Sequence, residues 1–393
     1  MKHIPTKVVI PAMLDAHFDL LQYAFSSSRM EMTVLKNRQD VVRTGLSYGH
    51  NDLCYPAILI IGQLITAVQR GILDPAESVF LIPQAGDACR GSNYLYLIRT
   101  ALKRAGISMP VISLNFVEQK EQIQFHLTPF MLWKALAAVL YSDMLLLLYN
   151  QVKPYEAAIG ASDTLYQKWM CWLQADLKEK KHLHPQAIRR NFKAIAENFA
   201  SIKRFKRNCP KIGIVGELYI KYCALGNHDL VKYLREQGAE PMVNGFSWYA
   251  LYYINTHLTE LSMVNPVMAA AYRAAGAYIE RMQRQMVQAI REKGFVCFDA
   301  FSGFAQTARQ SFSSRCSVGD GWLIGGEICN FAKHGYHRIA CVQPFGCMAN
   351  QVCGKGIYSS LQRKLPHVQL VSLDYDASGS DIQVQNRAAM LLF

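Results

Sequence analysis

Three cysteines stand where a thiol could do chemistry. Cys54 lies in Asn51-Asp52-Leu53-Cys54-Tyr55-Pro56, directly before a helix whose start Pro56 marks. Cys89 lies in Gly86-Asp87-Ala88-Cys89-Arg90-Gly91-Ser92, just beyond a strand that ends near Pro83. Cys347 closes Gln343-Pro344-Phe345-Gly346-Cys347, beyond a strand that contains Cys341. All three fall in loops that lead into helices. Two of them fall at the carboxyl ends of strands, where open parallel sheets gather their ligands. Thiolates suit iron–sulfur centres, and low-potential clusters gain from nearby amides and helix amino termini. Ligands on distant loops converge only after folding, so a short CxxC spacing is not required. Buried structural thiols are the competing explanation.

The remaining cysteines are less informative. Cys341, Cys347 and Cys353 form a Cys-x5-Cys-x5-Cys series, which matches neither a zinc ribbon nor a bacterial ferredoxin run. Cys341 falls inside a strand and reads equally as a core residue. Cys171 and Cys297 have apolar or aromatic neighbours and are expected to be packing residues, while Cys209, Cys223, Cys316 and Cys329 carry no assignment. Eleven cysteines in 393 residues are too few for a disulfide scaffold. The amino terminus lacks the longer apolar core of an export signal, so a reducing, cytoplasmic setting is expected.

Two other catalytic patterns are missing: there is no GxxxxGK[ST] phosphate loop and no HExxH pair. Gly319-Asp320-Gly321 with Gly325-Gly326-Glu327 is glycine-rich but does not follow a strand as a dinucleotide fingerprint should. His182 and His184 flank one leucine among basic residues and read as a solvated surface. His50 could be a donor behind Cys54 or an ordinary loop histidine.

The elements that must position these loops alternate. Val8–Ile10, Met32–Leu35, Val79–Ile82 and Val111–Leu114 read as strands, with helical patterns near 17–26, 56–71 and 93–106. That alternation predicts a mainly parallel α/β sheet. Residues 128–206 contain no convincing strand and read as a helical insert. A second α/β pattern opens with Lys211–Gly216 and a helix near 228–237, followed by long helical patterns over 248–293. It closes with strands at Arg338–Val342 and Val368–Leu373, each followed by a helix. The expected division is 1–127, a first α/β domain; 128–210, a helical insert or linker; and 211–393, a second α/β domain. Two such halves would suit a cleft between them.

With 51% hydrophobic and 18% charged residues, the chain can build sizeable cores. Its most membrane-like run, Phe130 to Tyr149, is interrupted by Lys134 and Asp143, so a buried helix is expected there rather than a membrane span. The net charge of +13 is uneven: Lys178 to Arg207 holds ten Lys/Arg against Glu179 and Glu197, a local +8. A solvated helical face is the expected reading. Nucleic-acid binding is not expected, because no finger, aromatic RNA signature or recognition helix accompanies the charge.

At these residues the chain resembles the iron–sulfur portion of activase-related proteins of the 2-hydroxyacyl-CoA dehydratase superfamily. That group includes benzoyl-CoA reductase-type and double-cubane-cluster proteins. The matching pieces are His50-Asn51-Asp52 with Cys54-Tyr55-Pro56, Cys89-Arg90 with Ser92-Asn93-Tyr94, Pro110–Asn115, Pro154-Tyr155-Glu156 and Gly213–Glu217. Toward the carboxyl end they are Gly321-Trp322-Leu323, Glu327, Cys341–Cys347, Gly354-Lys355-Gly356, Asp374-Tyr375-Asp376 and Asn386-Arg387. Their order and their spread along nearly the whole chain carry the resemblance. The chain departs from its relatives at Ala85-Gly86-Asp87-Ala88, at Ala349-Asn350-Gln351 after Cys347, and at Ala377 after the Asp-Tyr-Asp motif.

The resemblance implies two Rossmann-like (flavodoxin-like) parallel-sheet domains with a helical insert. A cysteine-bound cluster, [4Fe–4S] or an [8Fe–9S] double cubane, would lie in the cleft between them. It implies Cys54, Cys89 and Cys347 as leading ligands, with Cys341 next. A separate ATP-hydrolysing activase would donate a low-potential electron, a small substrate would be reduced, and the chain would pair as a homodimer. Arg90 could orient an anion or stabilise cluster charge, or form a plain salt bridge. Glu217 and Glu327 could relay protons, or serve helix ends and packing. Two alternatives stand beside this expectation. One is a 2-hydroxyacyl-CoA dehydratase subunit working through a ketyl radical on an acyl-CoA. The other is a cofactor-free protein that uses its basic stretch to bind nucleic acid or a partner.

Overall fold

The computed structural model describes residues 7–27, 30–50, 52–84, 89–113 and 127–393. Asn51, Ala85–Ala88, and the Leu114 and Asn115 ends of two expected segments lie outside them. The chain forms two four-stranded, fully parallel sheets. The first has β1 (Lys7–Ile10), β2 (Glu31–Val34), β3 (Ser78–Ile82) and β4 (Val111–Ser113) in the order β2-β1-β3-β4. The second has β5 (Lys211–Gly216), β6 (Glu240–Val243), β7 (Arg338–Pro344) and β8 (Gln369–Tyr375) in the order β6-β5-β7-β8. The two orders are the same, and in each sheet the strand order reverses between its first and third strands, the place where parallel sheets leave a crevice. The inner strands read as unbroken apolar runs because helices cover both faces; all five residues of β3 are buried.

Between the sheets lie three helices, Pro129–Val152, Ala161–Glu179 and Pro185–Ala200. The first, with the turn that follows it, is the stretch among the described residues long and apolar enough to cross a membrane, yet 67% of its most apolar window is buried in the protein. Its two charged interruptions are satisfied internally. Lys134 Nζ donates to the Tyr23 and Ser26 carbonyls at 3.1 and 3.5 Å, at the end of the helix Asp15–Phe25. Asp143 accepts from the Phe246 and Ser247 amides at 2.6 and 3.0 Å and lies 2.7 Å from His17 Nε2. One carboxylate thus caps the helix Phe246–Val264 and ties the first sheet's helix to the second sheet's.

The halves are docked by apolar packing and by polar contacts. One continuous buried cluster runs from Val9, Tyr55 and Phe80 through Ile214, Tyr219 and Leu373. Tyr55 Oη meets His228 Nε2 at 3.0 Å, and the Ala224 amide donates to Asp15 Oδ2 at 2.8 Å. The Lys178–Arg207 cations lie at exposed positions, while Ile188, Phe192, Ile195 and Phe199 turn inward from the helix Pro185–Ala200. Two cysteine expectations resolve differently. Cys297 is buried as expected, whereas Cys171 is exposed, on the solvent side of a helix whose buried stripe passes through Met170, Leu173 and Leu177. That is a correction to its expected packing role: aromatic neighbours in sequence do not share its side of the helix.

Candidate functional site

Cys54 is delivered by a helical hairpin. The helices Val41–Tyr48 and Tyr55–Gln69 cross with their backbones in contact. A Cβ at Gly45 would fall 2.1 Å from the Ile58 carbonyl oxygen, and one at Gly62 would fall 1.9 Å from that of Val41. No other residue fits either place. Cys54 occupies the N-cap of the second helix with φ −64° and ψ 149°, and its carbonyl accepts from the Ala57 and Ile58 amides at 3.0 and 3.2 Å.

Cys89 and Cys347 occupy the same local position on the two sheets. Cys89 follows β3 and caps the 3₁₀ turn Arg90–Asn93 with φ −85° and ψ 147°; its sulfur accepts from the Gly91 amide at 3.3 Å. Cys347 follows β7, the corresponding strand of the second sheet, and caps the turn Met348–Asn350 with φ −66° and ψ 112°. Asn350 Nδ2 donates to its sulfur at 3.4 Å. Each expected thiol therefore sits at the amino end of a helical turn, where unpaired amides favour negative charge on sulfur.

Several contacts gather these loops. Arg90, exposed, donates from Nη1 to the Asp52 carbonyl, tying the Cys89 loop to the Cys54 loop. Tyr94 Oη lies 3.4 Å from Cys54 Sγ. Burial, then Cys54, Glu217 and Cys89, push the Tyr94 phenol well up, so these four groups share one region. Glu217 enters from the second sheet. It follows β5, caps the helix Leu218–Tyr222 through the Ile220 amide at 2.8 Å, and acts electrostatically on both Cys54 and Cys347. Burial chiefly, with Glu217 adding to it, pushes the Cys54 thiol up and the Cys347 thiol to about 11. Such thiols ionise when a cation arrives to hold the charge.

Cys341 does not join them. It is fully buried in β7, paired with Val215 and Ser372, and β alternation turns it into the core beside Tyr358, with its thiol pushed up to about 12 by burial. That burial favours the core reading of Cys341 over the ligand one. Glu327 is buried against Lys221, at 2.9 and 3.1 Å, rather than open to a proton path. Tyr155 and Glu156, part of the resemblance, serve the scaffold: Tyr155 Oη donates to Glu240 at 2.6 Å, and Glu156 accepts from the Gly160 and Ser162 amides, each at 2.9 Å. Sequence reasoning gave no role to Lys221 or Asp320, or to Cys316, which lies 3.2 Å from Cys353, sulfur to sulfur. The glycines flanking Asp320 were the one available signal.

Among the described residues, no three His, Cys, Asp or Glu side chains close on a single ion. Cys54, Cys89 and Cys347 each stand at a helix amino terminus, the first and last both under the influence of Glu217. Fold and site together define a two-sheet parallel α/β protein with three capping thiols at the carboxyl side of its strands. Compared with family models the chain matches none, and no curated protein matches it.

The Glu217 carboxyl is pushed above its ordinary 4.5 by burial and by Asp320. A carboxyl raised on folding contributes stability that is full below its unfolded value and is lost as pH climbs through the folded one. Glu217→Gln keeps an acceptor for the Ile220 amide and removes the titration. Denaturation midpoints should therefore move in the variant's favour between about pH 5 and about pH 9. Parallel curves for variant and wild type would show that this carboxyl ionises freely.

Proposed function

We propose that this chain is an iron–sulfur protein akin to the activase-related members of the 2-hydroxyacyl-CoA dehydratase superfamily, with Cys54, Cys89 and Cys347 as its ligands in the cleft between the two sheets. The observation that carries the reading is the shared N-cap placement of the three thiols, two of them after equivalent strands. When bound, the cluster would supply low-potential electron transfer to a small substrate. The chain's own residues do the rest. Helix-end amides favour thiolate charge, and Arg90 holds two of the loops together. Glu217, its carboxyl raised, can keep a proton on an Oε atom beside the thiols.

A separate activase is the proposed electron donor. Phe345, Met348 and Val352 are 66%, 55% and 63% exposed around Cys347, an apolar rim suited to a docking protein. Pairing as a homodimer is part of the proposal, as is work in a reducing cytoplasm, where none of the eleven cysteines need be in a disulfide. The test is iron and acid-labile sulfide per chain, with EPR, on protein purified without oxygen. About four irons per chain is the expected result for one cubane, and about eight would mean the double form. Absence of both elements after anaerobic reconstitution would remove the redox reading and leave a binding protein.

A further inference from the structure

Cys316 and Cys353 belong to none of the loops assigned above, yet their sulfurs lie 3.2 Å apart. We infer that they form a redox-active dithiol, a site that closes to a disulfide by exchange with a low-molecular-weight disulfide of the glutathione type. A disulfide needs its sulfurs at about 2.05 Å, so closure asks for a shift of only about 1 Å.

The two thiols are unequal in a way that suits exchange. Cys316 is half-buried and open to a small attacking partner, whereas Cys353 is 4% exposed and sits behind it. In the first step the Cys316 thiolate attacks one sulfur of the small disulfide and releases one small thiolate. In the second, Cys353 attacks the Cys316 sulfur and releases the other. Two protein thiols are oxidised, one disulfide is reduced to two thiols, and the two protein protons pass to the leaving thiolates.

The surrounding structure holds the pair in register. Tyr252 Oη donates to the Ser317 and Gly319 carbonyls at 3.1 and 2.9 Å, and the Trp322 amide donates to the Cys316 carbonyl at 2.7 Å. Gly321, at φ +42°, lies so close that a Cβ there would fall 2.4 Å from the same carbonyl oxygen. Cys353 lies in a π-helical turn, Gln351–Lys355, that continues directly from the turn capped by Cys347. Such turns are uncommon and collect at functional sites. A bond from Cys316 to Cys353 would fasten the 316–321 loop onto the segment that carries Cys347, so the dithiol reports the state of the thiol pool at the edge of the candidate site.

The test uses the full chain, prepared anaerobically, exposed to glutathione disulfide, alkylated and mapped by peptide mass. The expected result is a single cross-linked peptide pair joining Cys316 to Cys353, with both thiols protected from alkylation and recovered by dithiothreitol. Cys353→Ser should stop at the first step and leave glutathione on Cys316. Alkylation of both residues in oxidised wild-type protein, or a stable glutathione adduct on wild-type Cys316, would overturn the inference. So would loss of about four irons on Cys316→Ser, which would make the pair cluster ligands instead. Cross-linking is read without reference to iron, so failure of the cluster reading and failure of this one are distinguishable.

Discussion

Replacing Cys54, Cys89 or Cys347 singly with Ala is expected to remove nearly all of the iron and labile sulfide, not a third of each. A cluster shared by three loops, as proposed, could not be partly held: each thiolate would bind its own iron, and an iron left without its thiolate would open the whole group to loss. The same changes should cost the fold little. Cys54 Sγ has a long contact with Tyr94, Cys89 Sγ accepts the Gly91 amide at 3.3 Å, and Cys347 Sγ accepts the Asn350 side-chain amide at 3.4 Å. Losing such contacts costs about 0.5–1.5 kcal/mol each. Iron per chain and the urea midpoint, measured on the same preparations, separate the two effects. Cys171→Ala, at an exposed helix position, and Cys341→Ala, in the core of β7, serve as controls that keep their iron. If the three single variants retained wild-type iron, or if Cys341→Ala alone lost it, the ligand assignment would fail.

The parts of this arrangement that can be read along the chain are those set by local pattern. Apolar runs mark β1, β3, β5 and β7, and Pro56 marks the helix that Cys54 caps. One strand escaped that reading. β6 is Glu240–Val243, with a charge and a proline in its first two places. It survives because it is an edge strand, where proline costs no ladder bond on its open side. Glu240 is also buried against the Tyr155 and Tyr336 hydroxyls, a contact no local pattern reveals. The long helical patterns over 248–293 are two helices, parted at Pro266, with Asn265 Oδ1 accepting the Met268 amide at 3.0 Å.

The site itself is less legible, because its contacts join distant residues. Arg90 to Asp52, Tyr94 to Cys54 and Cys316 to Cys353 span 38, 40 and 37 positions, and their partners are fixed only by packing. Cys341 shows the opposite case. Only the resemblance pointed to a ligand role for it, while its place inside a strand already allowed a core residue, and β7 is covered on both faces.

The second large effect falls on stability, at a buried pair that stands one helical turn from Glu217. Lys221 and Glu327 are each 1% exposed, bonded at 2.9 and 3.1 Å, with Asn244 Nδ2 a further 3.4 Å donor to Glu327. Lys221→Met keeps most of the side-chain volume and removes the cation bonded to that carboxylate, which should cost about 3–5 kcal/mol at neutral pH. The pH dependence has a fixed sign. Burial already holds the Glu327 carboxyl above its ordinary 4.5, and Lys221 and Asn244 oppose that rise. Without Lys221 the folded value climbs further. A carboxyl raised on folding is no burden below its unfolded value and becomes one as pH rises through the folded value. The deficit of Lys221→Met should therefore be small below about pH 4.5 and grow toward neutrality. Urea midpoints across that range measure it, and Lys221→Met with Glu327→Gln should recover most of the loss. A deficit that stayed flat with pH would mean that lost packing, not the stranded carboxylate, sets the cost.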